Sequence, residues 1–384
     1  MEKQDQILMK QQNKSLVLEL IKSQSPISRS ELAKITKMSP TSISRIVNEL
    51  CQQGFVKETE LVTSGVGRKA TLLEVCGDVL YTIGIELDKS VIKIGLVNFI
   101  GEIVCLETHN RNPEEDYQDM LENIFRYIKQ IINENTIAME KVIGVAVGLP
   151  GSIDHKNGIV RLSDQLCLEN VPFAQDLKRI TSLEVIIDNE LKMKAVAENT
   201  LGKAKDSQNS ILVGIGSGIG AAIILNGEVY RGKANNAGEI GHTVVNPNGN
   251  VCKCGKIGCL ATYISEGAIL ADCQKVKNVS SFDDCILAFK NKESWAINIL
   301  DRTLTHIALV ISDMACFYNP EVIILSGDFI DKIPEVNHYI EEKCQRYMWE
   351  PIKDTLRIEY SLLGEQGVVL GGAIQAQHIL MNLI

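Results

Sequence analysis

Residues 238–260, GEIGHTVVNPNGNVCKCGKIGCL, put one imidazole and three thiols within eighteen residues: His242, Cys252, Cys254 and Cys259. Gly249 precedes the cluster, and Gly255 and Gly258 lie inside it, permitting the tight turns that aim several thiolates at one centre. Three thiolates and one imidazole form a closed tetrahedral set, the usual structural site for zinc. A catalytic zinc needs an open position, which the fourth protein ligand removes. The plain alternative is a cluster of reduced cysteines on a loop. Glu239 stands three residues before His242, so folding of the knuckle would fix its position. From spacing alone it reads equally as a solvated glutamate.

Upstream, SILVGIGSGIGAAIILNGEVY (210–230) reads as a strand, a Gly-rich turn and a second strand. Gly216, Gly218 and Gly220 would let backbone N–H groups approach a phosphate, although packing between buried strands explains such a turn as well. Further upstream, IIDNELKMKAVAEN (186–199) is an apolar strand end, then Asp188, Asn189 and Glu190, then a helix over Leu191–Leu201. Polar groups at the carboxyl end of a strand are well placed for a ligand in an α/β protein. Simple helix capping by Asp188 or Asn189 is the competing account. LYTIGIEL (80–87), SVIKIGLVN (90–98) and EIVCLETH (102–109) read as a strand meander, followed by a helix over about 113–134. KVIGVAVGLPG (141–151) is a buried strand ending in a loop. A helical stretch over about 264–318, a strand in EVIILSGDF (321–329) and a last helix after Gly371–Gly372 complete the body. Alternating strands and helices predict an α/β core, with no internal repeat and no low-complexity segment.

The first 75 residues differ in texture. Leu16, Leu20 and Ile21 have helical spacing within Lys14–Lys22, and Pro26 stops that helix. Ser28 and Glu31 form a capping box before a short helix with Leu32 and Ile35 inward. Ser39 as N-cap and Pro40 at the first helical position open a third helix to about Gln53, with Ile43, Ile46, Val47 and Leu50 inward. Thr41, Ser42, Ser44, Arg45 and Asn48 then face outward. FVKET (55–59) and ATLLEV (70–75) are strands around a turn carrying Arg68 and Lys69. Helix, turn, helix and hairpin describe a winged helix-turn-helix whose third helix and wing would contact double-stranded DNA. A small three-helix protein-interaction domain is the alternative.

Charge follows the same division. Residues 1–75 carry +3 and the remainder −12, within a net −9, which suits a chain that meets phosphates at one end only. No apolar run is long enough to span a bilayer, and the polar N-terminus lacks a signal-peptide core. A cytoplasmic protein that does not associate with membrane is expected, with its eleven cysteines reduced.

In this order the motifs resemble those of the ROK family (repressors, open reading frames and sugar kinases), in its xylose-repressor and N-acetylglucosamine-repressor branch. The resemblance runs from the winged head through IGIELDKSVIKIGLVN, GVAVGLPGSID, IIDNELKMKAVAEN, GIGSGIGAAI, GEIGH, the cysteine cluster and VIILSGD to GVVLGGAIQA. It implies a two-lobed, actin-like or ribonuclease-H-like sugar-kinase fold behind the winged head, a sugar effector in the cleft, and a homodimer or dimer of dimers. Residues 1–76 would be the DNA-binding domain, 77–200 the first α/β lobe and 201–384 the second, with the last helix returning to the first lobe. The resemblance makes Asn189 and Glu239 sugar contacts and puts Glu190 where the kinases hold their catalytic aspartate, as a vestigial carboxylate that could still bond the sugar. The loop Gly148–Gly151 would line the sugar side, and His242, Cys252, Cys254 and Cys259 fall on the family's zinc ligands.

The departures bear on function. The family kinases carry Asp-x-Gly-Gly-Thr in the first phosphate loop; here the run is Glu86-Leu87-Asp88-Lys89-Ser90, without either glycine. Ser326-Gly327 replaces a double glycine, Ala261 a sugar-gripping glutamate, and Lys192 an asparagine. No ATP binding and no enzymatic activity are expected. Lys192 either favours an anionic ligand or is simply solvated. Three readings stay open: a sugar-regulated repressor, a sugar kinase with an N-terminal extension, and a repressor governed by a protein partner.

Overall fold

The computed structural model describes residues 2–60 and 71–381. The chain starts with α1 (Glu2–Gln24), β1 (Ile27–Ser28), α2 (Arg29–Thr36), α3 (Pro40–Gln52), β2 (Val56–Glu60) and β3 (Thr71–Val75), with sheet order β1-β3-β2. The caps explain the turn between α2 and α3. Ser28 Oγ accepts from the Glu31 amide while Glu31 accepts from the Ser28 amide at 2.9 Å. Lys37 ends α2 in the left-handed region, and Ser39 Oγ caps α3 through the Ser42 amide with Pro40 in the first turn. Ile43, Ile46, Val47 and Leu50 are buried on one face of α3. Two expectations change. α1 buries Val17, Leu18 and Ile21 and leaves Leu16 exposed. Ile35 is also exposed, because α2 has eight residues and turns only its Leu32 face to the core.

The first lobe contains β4 (Tyr81–Leu87), β5 (Val91–Asn98), β6 (Ile103–Asn110), α4 (Tyr117–Glu134), β7 (Val142–Leu149), β8 (Ser152–Asp154), β9 (Ile159–Ser163), β10 (Leu168–Val171), α5 (Phe173–Thr181), β11 (Val185–Asn189) and α6 (Glu190–Thr200). Its main sheet has order β11-β7-β4-β5-β6, parallel at β11-β7-β4 and antiparallel beyond. Helices α4 and α5 bury Ile124, Ile128 and Leu177 on one face. The small sheet β8–β10 was not foreseen, and α4 begins four residues later than its expected start because Asp116 caps it.

The second lobe contains β12 (Ser210–Ile215), β13 (Ile219–Leu225), β14 (Glu228–Val229), α7 (Ala261–Ile264), α8 (Glu266–Gln274), α9 (Phe282–Lys290), α10 (Ser294–Tyr318), β15 (Val322–Ser326), α11 (Asp328–Lys332), α12 (Val336–Tyr347), α13 (Glu350–Lys353), β16 (Arg357–Tyr360) and α14 (Gly367–Met381). Its sheet order is β14-β13-β12-β15-β16. Helix α14 leaves this lobe and packs on α6, β4 and β7 of the first. It starts before Gly371 and Gly372, which therefore lie inside it. A Cβ on Gly371 would fall on the Met193 carbonyl, so glycine lets α14 and α6 meet backbone to backbone.

The head is seated on the first lobe. Phe99, in the β5–β6 turn, is buried in the head's own core and meets Phe55 edge-on at 5.4 Å. Among the described residues, no helix is long and apolar enough to cross a membrane. Leu50→Ala should cost the head about 2–5 kcal/mol, because the fully buried side chain leaves a cavity among α1, α2 and α3. Urea unfolding followed by amide exchange should show the loss in residues 14–56 and leave the α10 region unchanged.

Candidate functional site

His242 ends a short 3-10 turn, and the chain returns through bridges Val244–Cys259 and Val251–Ile257. This brings the ligand atoms of His242, Cys252, Cys254 and Cys259 within 4.8 Å of one another. Cys252 Sγ lies 3.8 Å from His242 Nδ1, and the Cys254 and Cys259 sulfurs are 3.6 Å apart. A tetrahedral centre with arms of ~2.3 Å has neighbouring ligands about 3.8 Å apart, so the four atoms fit a metal ion. Gly258, at φ +76, turns the chain where a Cβ would strike the Asn246 carbonyl. The other eight cysteines lie elsewhere as free thiols.

Asn189 caps α6. Its Oδ1 accepts from the amides of Leu191 (3.1 Å) and Lys192 (3.4 Å). Its Nδ2 donates to Glu190 Oε2 at 3.0 Å and to Gly151 O at 3.4 Å. Of the two competing readings of this residue, capping uses the oxygen, while the amide nitrogen donates to Glu190 and Gly151. Glu190 is pushed up to about 7, first by burial and then by Glu86, Asp88 and Glu239. Glu239 is exposed at the start of the 3-10 turn, held between Gly238, whose carbonyl accepts from the Ala221 amide at 2.8 Å, and His242. Gly151, Asn189, Glu190 and Glu239 thus gather at the head of α6. Ser152 Oγ donates to Asn236 Oδ1 at 2.7 Å, joining the first-lobe loop to the segment before the knuckle.

Sequence reasoning missed the network behind these residues. Asp188 is buried and accepts from Arg231 Nη1 (2.7 Å), Asn235 Nδ2 (2.9 Å) and Gln375 Nε2 (3.3 Å). Lys192 matches neither of its expected roles. It is buried, and its Nζ donates to the Asn235 carbonyl at 2.8 Å; burial lowers its pKa. The available signal was Arg231 and the Asn235-Asn236 pair between two glycine-rich stretches. A cavity of about 460 Å³ lies on the far side of this network, against Ile187, Asp188, His155, Arg231 and Gln375. None of Gly151, Asn189, Glu190 or Glu239 lines it.

The turn replacing the kinase phosphate loop is filled by its own bonds. The Asp88 amide donates to Val91 O (3.0 Å) and the Lys89 amide to Asp88 Oδ1 (2.6 Å). Arg111 holds the Lys89 and Ser90 carbonyls. Glu86 is 3.4 Å from Lys93, and burial raises its pKa despite that cation. In the second lobe Gly216 lies beside Asp328 and Glu266, whose buried Oε1 has no hydrogen-bond partner.

On the head, Thr41, Arg45 and Asn48 are exposed, and Ser42 and Ser44 are partly exposed. Asn48 Oδ1 accepts from Arg29 Nη2 (2.8 Å), which also pairs with Glu58 (2.7 Å). Arg29, absent from the expected DNA-facing set, therefore ties α2, α3 and the wing together. Arg68 and Lys69 lie outside the described residues.

A helix-turn-helix head on an actin-like, two-lobed sugar-kinase fold defines the class. The chain belongs to the ROK family, whose signature matches residues 82–379; residues 11–65 match the MarR family. It is 31% identical to the xylose repressor of Caldicellulosiruptor bescii over 95% of each chain. The crystal structure of a ROK family transcriptional regulator, a homologue of E. coli MLC protein, matches with TM-score 0.84 and 26% identity over 97% of each chain. The ROK hexokinase of Thermus thermophilus matches in fold, with TM-score 0.68 and 22% identity over 78% of this chain and 99% of that one.

A carboxyl group whose pKa rises on folding destabilises the fold as it ionises: the effect is absent well below pH 4.5 and complete above about 7. Glu190→Gln should therefore raise stability at pH 8 by about 1–2 kcal/mol, after allowance for partial solvent screening. The gain should shrink on acidification and vanish near pH 4, as read by thermal melts across pH.

Proposed function

We propose that this protein is a DNA-binding transcriptional repressor of sugar-utilisation genes, with operator affinity set by a sugar held by Asn189, Glu190, Glu239 and the Gly151 loop. The observation that carries this reading is a helix-turn-helix head joined to a kinase-like body in which the Asp88 and Lys89 amides are spent within their own turn. Phosphoryl transfer needs amides and cations free for the phosphates. Carboxylates Glu86, Asp88, Glu266 and Asp328 stand there instead, so the protein acts as a regulator without enzymatic turnover or bound ATP.

The chain divides into a DNA-binding domain (1–76) and two lobes (77–200 and 201–384), with α14 shared. A homodimer, alone or paired, presents two α3 helices to a palindromic operator in the cytoplasm. The outward face of α3 reads the major groove, with Arg68 and Lys69 of the wing on the backbone. The sugar shifts the angle between lobes by binding one arrangement more tightly, which changes the spacing of the heads. His242, Cys252, Cys254 and Cys259 hold a structural zinc, which fixes the knuckle and with it Glu239.

The deciding experiment is a thermal-shift panel of D-xylose, N-acetylglucosamine, their phosphates and ATP, run beside an ATP-dependent phosphorylation assay. A shift with one sugar compound, none with ATP and no phosphorylation is expected. Measured phosphorylation would sink the regulator reading, and silence to every sugar would transfer control to a protein partner. Arg45→Ala should weaken binding to a duplex selected by the wild-type protein and reduce its salt slope by about 1. Unchanged affinity would refute the docking mode. Elemental analysis should find one zinc per chain in the wild type and none in Cys254→Ser, with a lower Tm; retained zinc would disprove this ligand set.

A further inference from the structure

Helix α14 touches the site and the head with two glutamines two positions apart. Gln375 Nε2 donates to the buried Asp188 carboxylate at 3.3 Å, directly behind Asn189. Gln377 is buried and faces the head: its Oε1 accepts from Lys22 Nζ at 3.1 Å, and its Nε2 donates to Asn98 O at 2.9 Å. Two positions along an α-helix are about 200° apart, so the side chains leave opposite sides of one rigid rod. Lys22 lies in the last turn of α1, and its ammonium sits 4.8 Å from the centre of the Phe99 ring. Burial lowers its pKa, so it depends on the acceptors that remain.

We propose that α14 is the relay between ligand site and DNA-binding head, with Gln375 and Gln377 as positioning residues and Lys22 as the head's receiver. The proposal rests on the sugar-regulated reading above. Gly371 presses α14 against the backbone of α6, whose N-cap and first residue are Asn189 and Glu190 at the cleft. A ligand that moves the start of α6 or the Asp188 network therefore moves α14 with it. A shift of about 1 Å lengthens the Lys22–Gln377 bond beyond hydrogen-bonding range and leaves a half-buried ammonium short of an acceptor. The head then has two discrete seatings on the Asn98–Phe99 turn, which is the two-state element that coupling requires.

The test uses the full-length protein and has two arms. Without ligand, hydrogen exchange of residues 17–23 and 98–102 is compared among wild type, Gln377→Leu, Lys22→Met and Lys22→Arg. Gln377→Leu and Lys22→Met should exchange on the order of tenfold faster there, Lys22→Arg close to wild type, and α10 unchanged in all. Unchanged exchange in both Gln377→Leu and Lys22→Met overturns the relay. The second arm measures affinity for a duplex selected by the wild type, with and without whichever of D-xylose and N-acetylglucosamine binds by calorimetry. In Gln377→Leu the sugar Kd should stay within about twofold while the sugar-induced change in DNA affinity collapses toward onefold. The Gln375→Leu/Gln377→Leu pair should be non-additive in a double-mutant cycle. A full sugar response in Gln377→Leu overturns the relay. If neither sugar binds the wild type, the effector reading fails and the exchange arm alone decides the relay.

Discussion

A carboxylate at 1% exposure must be surrounded by donors, and Asp188 sets that demand for this fold. Removing one partner from such a buried pair costs roughly 3–5 kcal/mol, so the donors are fixed in place. They come from two distant parts of the chain, Arg231 and Asn235 before the knuckle and Gln375 on α14, and from the neighbouring Asn189 amide at the head of α6. Through them one side chain ties the first-lobe sheet, the segment leading into the Cys/His cluster and the last helix. The orientation of Asn189 and the burial of Lys192 both follow.

The charge distribution acquires its meaning from that arrangement. The acidic body does not spread its carboxylates evenly. Glu86, Asp88, Glu190 and Glu239 act on one another around the start of α6, and Glu266 with Asp328 flanks the second glycine turn. Three cations near the cleft are committed: Lys192 to a carbonyl, Arg231 to Asp188, Lys93 to Glu86. The mildly basic head meets this body at an apolar seat, Phe55 on Phe99, with the half-buried Lys22 at its edge.

Much was legible from local chemistry. The capping box at Ser28, the Ser39-Pro40 start of α3, the four inward residues of α3 and the strand runs of both lobes follow from spacing and propensity. The knuckle was legible because four ligands within eighteen residues can converge through short turns. Periodicity failed where burial is decided by neighbours distant in sequence. Leu16 and Ile35 have apolar spacing yet face solvent, because α1 and α2 each offer only a narrow face to α3 and the wing. Gly371 and Gly372 read as a helix boundary and proved to be the contact that lets α14 lie against α6.

The sequence by itself determined which residues could ligate, cap and pack within a few turns of their neighbours, because those interactions close over short chain distances. The tertiary structure alone decided the rest: that Arg231, Asn235 and Gln375 satisfy Asp188, that Lys192 is buried, and that Lys22 meets Gln377 across 355 positions of sequence. These pairings exist only once the lobes and α14 have assembled, since nothing local restricts which distant donor a buried carboxylate or carbonyl acquires.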